Sequence, residues 1–163
     1  MSSLAGSFLI ARPTLTDSSF ARAVVLLLQH NADGAFGLVV NRPVQAEGLP
    51  FPVCSGGPCQ TRGLFMLHGY ADWAGLPATE VAPGIFIGDS ACLSEATGAS
   101  DGQPRRCRVF LGYAGWGPGQ LESEIAAGAW ATVVATSQLL FDTPAEELWE
   151  QLAPPRIPGP SLN

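Results

Sequence analysis

The sequence contains no lysine: all 8 basic residues are arginine. That excludes a phosphate-binding P-loop, a Schiff-base lysine and a cofactor aldimine, each of which needs an ammonium nitrogen. Charge of either sign is scarce, at 13% of residues, and hydrophobic residues make up 47%, so this is not a disordered, solvating chain. No apolar run approaches the roughly 18 residues a membrane span requires. There is no C-x-x-C and no H-E-x-x-H, so the common redox and zinc-protease signatures are missing. The apolar stretch before Pro13 is short and has no basic residues ahead of it, so no signal peptide is expected.

What is present is enough for one domain. At 163 residues a chain buries roughly 70% of its unfolded surface. The net charge is −6, and the part after Arg108 holds Arg156 against Glu122, Glu124, Asp142, Glu146, Glu147 and Glu150. The only basic cluster is Arg105, Arg106 and Arg108, which reads as a solvated loop opening a strand. Nucleic-acid binding needs a clustered positive face, so it is disfavoured.

The four cysteines, Cys54, Cys59, Cys92 and Cys107, lack zinc-ligand spacing. In a reducing compartment they are expected to be free thiols. Cys92 and Cys107 read as small buried hydrophobes, and Cys54 and Cys59, flanking a glycine-rich loop, as exposed.

Ser7 to Ala11 reads as a short strand. Val24 to Leu28 is apolar without alternation, as in a central strand covered on both faces. Asn31-Ala32-Asp33-Gly34 is a turn, and Phe36 to Val40 completes a hairpin. Asn41-Arg42-Pro43 ends it. Residues 44 to 60 read as loop. Leu64 to Leu67 and Ile85 to Ile87 are further strands, and Asp89-Ser90 opens a short helix ending at Gly98. Arg108 to Tyr113 is a strand. Gly117 as N-cap, Pro118 at N1 and Gln120 at N3 then open a helix that buries Leu121 and Ile125 and stops at Gly128. Ala129 to Ala135 is a strand, and Thr143-Pro144-Ala145-Glu146 caps a last helix burying Leu148, Trp149 and Leu152. The strand–helix–strand from Arg108 to Ala135 has the form of a parallel crossover. Residues 1–153 form one domain, and the proline-rich 154–163 is expected to be a poorly ordered tail.

Four segments invite a functional reading. In residues 112–122, GYAGWGPGQLE, glycines before a helix could cradle an anion. Against that, Pro118 removes an N–H, while Glu122 and Glu124 place negative charge in the first turns. A tight strand-to-helix corner is the plainer reading. A third is a recognition patch in which Trp116 is exposed beside Gln120 and Glu122. The Ser55-Gly56-Gly57-Pro58 loop could present N–H groups, but a structural turn explains it as well. His30 and His68, with Asp17 or Asp72, could share a metal, although their spacing does not demand one; a cysteine nucleophile would need Cys54 or Cys59 beside His68. Arg12, Asp17, Arg22, Asn41 and Arg42 flank strand ends and make either a polar cleft or a salt-bridged edge.

Taken in order, FLIARPTLTDSSFARAVVLLLQHNADGAFGLVVNRP (residues 8–43), SGGP (55–58), MLHG (66–69), FLGYAGWGPGQLESEIAAGAW (110–130) and LLFDTP (139–144) resemble the YqgE/AlgH family of small bacterial proteins. The resemblance implies an α+β fold: a single domain with a mostly antiparallel, bifurcated or pseudo-barrel sheet and a few flanking short helices. It implies a cytoplasmic protein. Some members carry the label of transcriptional regulator, linked to alginate production, without a recognisable DNA-binding motif. It brings no catalytic residues, cofactor or metal. What carries over is a set of signature positions: Pro13, Asp17, Phe20, Arg22, His30, Asn31, Gly37, Asn41, Pro43, Gly56 to Pro58, His68, and Gly112 to Glu122. The chain departs from the pattern between Asn41-Arg42-Pro43 and the Gly-Gly-Pro motif, where the family's leucine-rich helix is cut to residues 44–54, and again in a shortened 69–100. Cys59 stands where an aliphatic residue is common.

The expected function is therefore a non-enzymatic binding or regulatory module with no cofactor and no metal. It would act on a protein or small-molecule partner rather than on nucleic acid or membrane. Its candidate contact residues are Arg12, Asp17, His30, Asn31, Asn41, Arg42, Gly56, Gly57, His68, Trp116, Gln120 and Glu122. The alternative is a small hydrolase or transferase whose polar rim gathers His30, Asn41, Arg42 and His68, which requires those four to line one cleft.

Overall fold

A computed structural model describes residues 3–13, 20–44, 53–69, 79–88 and 107–152. The side chains of 60–64 and 79 are outside that description. So are Asp17, Asp72, Cys92, the arginines at 105 and 106, the helix expected over 89–98, and the tail.

The strands are β1 (Ser7–Ala11), β2 (Val24–Asn31), β3 (Gly34–Val39), β4 (Pro43–Val44), β5 (Val53–Ser55), β6 (Cys59–His68), β7 (Thr79–Ala82), β8 (Ile85–Gly88), β9 (Cys107–Trp116) and β10 (Trp130–Val134). Three short helices are described: α1 (Gln120–Ala126), α2 (Ser137–Phe141) and α3 (Ala145–Leu152). The main path of the sheet runs β10-β1-β2-β3-β9-β6-β8-β7. Among the described strands every pairing is antiparallel except β5 against β9. This is the α+β, mostly antiparallel, branched sheet that the family resemblance implied.

The unbroken apolar run of β2 has a simple cause. Alternate residues enter two different cores. Val24 and Leu26 join one cluster with Phe8 and Ile10 of β1, while Val25 and Leu27 join the other with Leu9 and Ala11. A strand buried on both faces has no polar side to alternate with. The first core is closed by Leu140 and Phe141 of α2 and Leu148 of α3. The second is closed by Leu121 and Ile125 of α1 over Trp116 and Trp130. Each fully buried large apolar side chain contributes about 1.5–3 kcal/mol.

The fork lies on β9. One edge of β9 pairs with β6. The other edge is shared: Val109–Leu111 pair with β5, and Ala114–Trp116 pair with β3. Gly56 stitches the fork, its N–H donating to the Leu111 carbonyl at 2.7 Å and its carbonyl accepting the Val39 N–H at 2.8 Å. A Cβ there would drive into the carbonyl of Gly112, and one on Gly57 into the main chain of Tyr113. The Gly-Gly-Pro loop is a close-packed seam, as its structural reading required.

Several sequence expectations need correction. The segment expected as loop from 44 to 60 holds β5 and the start of β6, which begins at Cys59 rather than Leu64. These short pieces pair because β9 supplies a template, not because their own sequence alternates. β7 and α2 were missed for the same reason of length. Cys54 was expected to be exposed, yet it is 1% exposed in the first core. Burial pushes its thiol up to about 11, so it is the protonated, inert form near neutrality. The expected parallel crossover does occur: by the pairings, β9 and β10 run the same way, with β3, β2 and β1 between them and α1 crossing over.

Candidate functional site

β9 runs through Gly112 and Gly115 to Trp116, three residues beyond its expected end. The corner that follows is Gly117-Pro118-Gly119-Gln120. The Gln120 N–H donates to the Gly117 carbonyl at 3.1 Å, and Gly119 takes φ 74° and ψ −6°. That is a type II turn, with proline at its second position and glycine at the third, where φ must be positive. Gly119, not Gly117, therefore caps the helix. Gln120 still reaches back as a capping-box residue would: its Oε1 accepts the Gly117 N–H at 3.0 Å. Those amides bond within the corner, which argues against the anion cradle.

The indole of Trp116 is not displayed. It is only 5% exposed and lies near Phe20 and Trp130, with ring centroids 5.9 and 6.1 Å away. Its size and the curl of the sheet carry it into the second core. Glu124, read from the sequence only as negative charge in the first turns of the helix, organises this corner. Its Oε1 accepts both indole N–H groups, Trp116 at 3.0 Å and Trp130 at 2.9 Å. Its Oε2 accepts the Gln120 side-chain amide at 3.1 Å. The signal was available in retrospect: two buried tryptophans each need an acceptor, and Glu124 sits one helical turn after Gln120.

His30 ties three segments together. Its Nδ1 accepts the Leu4 N–H at 2.9 Å, which puts the ring proton on Nε2, and Nε2 donates to Glu122 Oε2 at 3.0 Å. The N-terminal segment, β2 and α1 are thereby joined at one buried imidazole. The Glu122 carboxyl is held below its ordinary value, chiefly by its own main-chain N–H and then by the His30 N–H.

On the opposite face of the hairpin from His30, the register pairs Gln29 with Phe36 and Asn31 with Gly34. Gln29, Asn31, Asp33, Gly34, Ala35, Phe36 and Trp116 line a surface hollow at this end. Gln29, Asn31 and Asp33 are exposed. Phe36 is half-buried and held by Tyr113 at 4.7 Å and Phe65 at 5.7 Å between ring centroids.

The opposite end of the hairpin carries the arginine-rich rim. Asn41 Oδ1 accepts the Val24 N–H, and its Nδ2 donates to the Arg22 carbonyl, both at 2.9 Å. Arg42 donates to the Ala21 carbonyl at 2.9 Å. Arg22, at φ 59°, lies over the Trp149 ring at 4.7 Å and meets Glu150 at 3.3 Å, and Trp149 donates to the Ala11 carbonyl at 2.7 Å. Exposed Arg12 follows β1, its N–H donating to the Ala129 carbonyl. This is the braced edge, not the cleft.

The structure thus divides the candidates. Asn31 and Trp116 share the hollow, with His30, Gln120 and Glu122 in the network behind it. Asn41 binds Val24, six residues and about 20 Å of strand from His30. His68 pairs with Cys107 at the far end of β9 from Trp116, about 30 Å of strand away. It is buried, its ring 5.8 Å from that of Phe86. His30, Asn41, Arg42 and His68 therefore do not line one cleft, and the polar-rim hydrolase reading fails on geometry. Cys54 and Cys59 are likewise separated in register from His68. Among the described residues no three histidine, cysteine or acidic side chains gather as metal ligands, and no helix is long and apolar enough to cross a membrane.

The comparisons agree with this architecture. A family model described as AlgH-like matches residues 8–155. A UPF0301 protein of Hahella chejuensis is 42% identical over 161 residues, covering 90% of this chain and 85% of its own. One from Verminephrobacter eiseniae is 40% identical over 169 residues, covering 88% and 84%. The solution structure of the AlgH protein from Pseudomonas aeruginosa superimposes with a TM-score of 0.70 at 34% identity, covering 93% of this chain and 89% of that one. A crystal structure of a protein from Corynebacterium diphtheriae shares the fold, with a TM-score of 0.76 at 23% identity, covering 93% and 86%.

Proposed function

The chain belongs to the AlgH-like family, and on that premise we propose that it is a non-enzymatic binding module of the cytoplasm. It meets its partner at the turn end of the β2–β3 hairpin. One observation carries the reading. Among the described residues, signature side chains that could do chemistry are bound into the fold: His30 to Leu4 and Glu122, Asn41 to Val24 and Arg22, Gln120 to Gly117 and Glu124. The polar groups turned outward beside the rigid corner are Gln29, Asn31 and Asp33.

Any effect on transcription, which the family resemblance implies, is then indirect. The net charge of −6 and the engagement of Arg22, Arg42 and Arg108 with protein groups support that reading, since DNA binding requires released, clustered cations. Affinity capture from the native cell is the test. A discrete partner set should be retained by the wild type and lost by a Gln29→Ala/Phe36→Ala variant that still folds. Turnover of a metabolite in a broad activity screen, abolished by changing one signature residue, would refute it. So would salt-dependent DNA retardation at physiological ionic strength.

A further inference from the structure

We propose that the hollow at the hairpin end is a guanidinium site, taking the side chain of an arginine presented by a partner protein. The proposal rests on the reading of the chain as a binding module and supplies the chemistry of the contact.

The lining offers acceptors and an aromatic ring. Asp33 is an exposed carboxylate in the turn, with the amides of Gln29 and Asn31 beside it. Asn31 Oδ1 already accepts the Asp33 N–H at 2.8 Å, which fixes the turn in place. Phe36 stands next to them, steadied by Tyr113 and Phe65. Behind the hollow are two more carboxylates: Glu122 on His30, and Glu124 on Trp116. His30 is not their counter-cation, because its Nδ1 is engaged as an acceptor. Among the described residues no arginine reaches Asp33, Glu122 or Glu124. Carboxylates outnumber the described arginines at this end, so a cation is favoured over an anion.

Shape selects the cation. An ammonium is a compact, strongly hydrated point charge, whereas a guanidinium carries five donors in one plane and stacks on aromatic rings. A carboxylate and two amide oxygens beside a phenyl ring suit the planar group, with a cation–π contribution from Phe36.

The test is an amide NMR titration of the full chain with four probes: blocked arginine, blocked citrulline, spermidine, and a short peptide bearing one arginine. Blocked arginine should give saturable shifts confined to residues 29–36 and 116–117. Citrulline, the neutral near-isostere, should bind at least several-fold more weakly. Asp33→Asn should weaken arginine about fivefold, and Phe36→Leu about two- to fivefold. The peptide should bind more tightly than blocked arginine. Citrulline matching arginine, an unaffected Asp33→Asn, or shifts mapping elsewhere overturns the site. Spermidine matching arginine on the same residues overturns the guanidinium choice. A peptide excluded where blocked arginine binds overturns the partner-borne source. The two readings separate cleanly. Partners captured equally by wild type and Asp33→Asn leave the binding module standing and remove the guanidinium site, whereas arginine binding with no captured partner does the reverse.

Discussion

The two ends of the β2–β3 hairpin carry similar numbers of polar side chains and use them in opposite ways. At the Asn41 end, Asn41 and Arg42 bond to main-chain groups of residues 21–24, and Arg22 covers Trp149. At the His30 end, the inward face is equally committed through His30, Glu122 and Glu124, but the outward face leaves Gln29, Asn31 and Asp33 to solvent around a hollow. Polar side chains fixed by buried main-chain partners report on folding. Polar side chains left exposed beside a rigid support are the ones available to a ligand.

The largest expected effect tests the support itself. Glu124→Ala removes the acceptor of two buried indole N–H groups at once. Hydrogen bonds to a charged group contribute about 1.5–3 kcal/mol each, so urea denaturation should show a loss of about 3 kcal/mol. Glu124→Gln should recover part of it. A loss under about 1 kcal/mol would mean the corner is not held this way. Next, Gly56→Ala forces a Cβ against the Gly112 carbonyl at the sheet fork and should cost about 2 kcal/mol by overpacking, read as a fall in the denaturation midpoint at unchanged slope.

At the braced end, Asn41→Ala leaves the Val24 N–H and the Arg22 carbonyl without their side-chain partner. A loss of about 1–2 kcal/mol is expected, with no change in arginine binding at the other end. A change there would break the division between the two ends. Acid titration sharpens it further. The folded Glu122 carboxyl ionises below its unfolded value, so its stabilising contribution is present above the ordinary carboxylate pKa and fades as pH falls through the lowered folded one. Thermal melts of the wild type should therefore lose stability on acidification more steeply than those of Glu122→Gln. Parallel curves would show that the His30–Glu122 contact does not couple to folding. The smallest effect is Glu150→Ala. Its ion pair with Arg22 is exposed on both sides, 64% and 68%, and such pairs contribute about 0–1 kcal/mol. The melting temperature should barely move, because Arg22 keeps Trp149.

Much of the frame was legible without coordinates. The early hairpin, the apolar run of β2, Leu121 and Ile125 on α1 and Leu148 on α3 followed from periodicity and turn chemistry, which act over a few residues. The corner before α1 was legible in kind but not in detail. Pro118 and Gly119 announce a turn, yet which residue caps the helix depends on how far β9 continues, and that is set by β3 pairing with Trp116. β5 and the first half of β6 were invisible because β-structure of three to five residues with glycine and proline nearby takes its conformation from a neighbouring strand.

The site divides along the same line. The sequence by itself determined that lysine chemistry is absent, that the chain is one α+β domain of the AlgH-like type, and that the glycine–tryptophan stretch is its most distinctive part. Only the tertiary structure decided that Trp116 faces inward, that Glu124 anchors it, that His30 and His68 lie apart, and that Gln29, Asn31, Asp33 and Phe36 surround one hollow. The physical reason is range. Backbone propensity and hydrophobic period are local and written in order along the chain, whereas the direction of an indole and the partners of a carboxylate depend on which strands, distant in sequence, the curl of the sheet brings together.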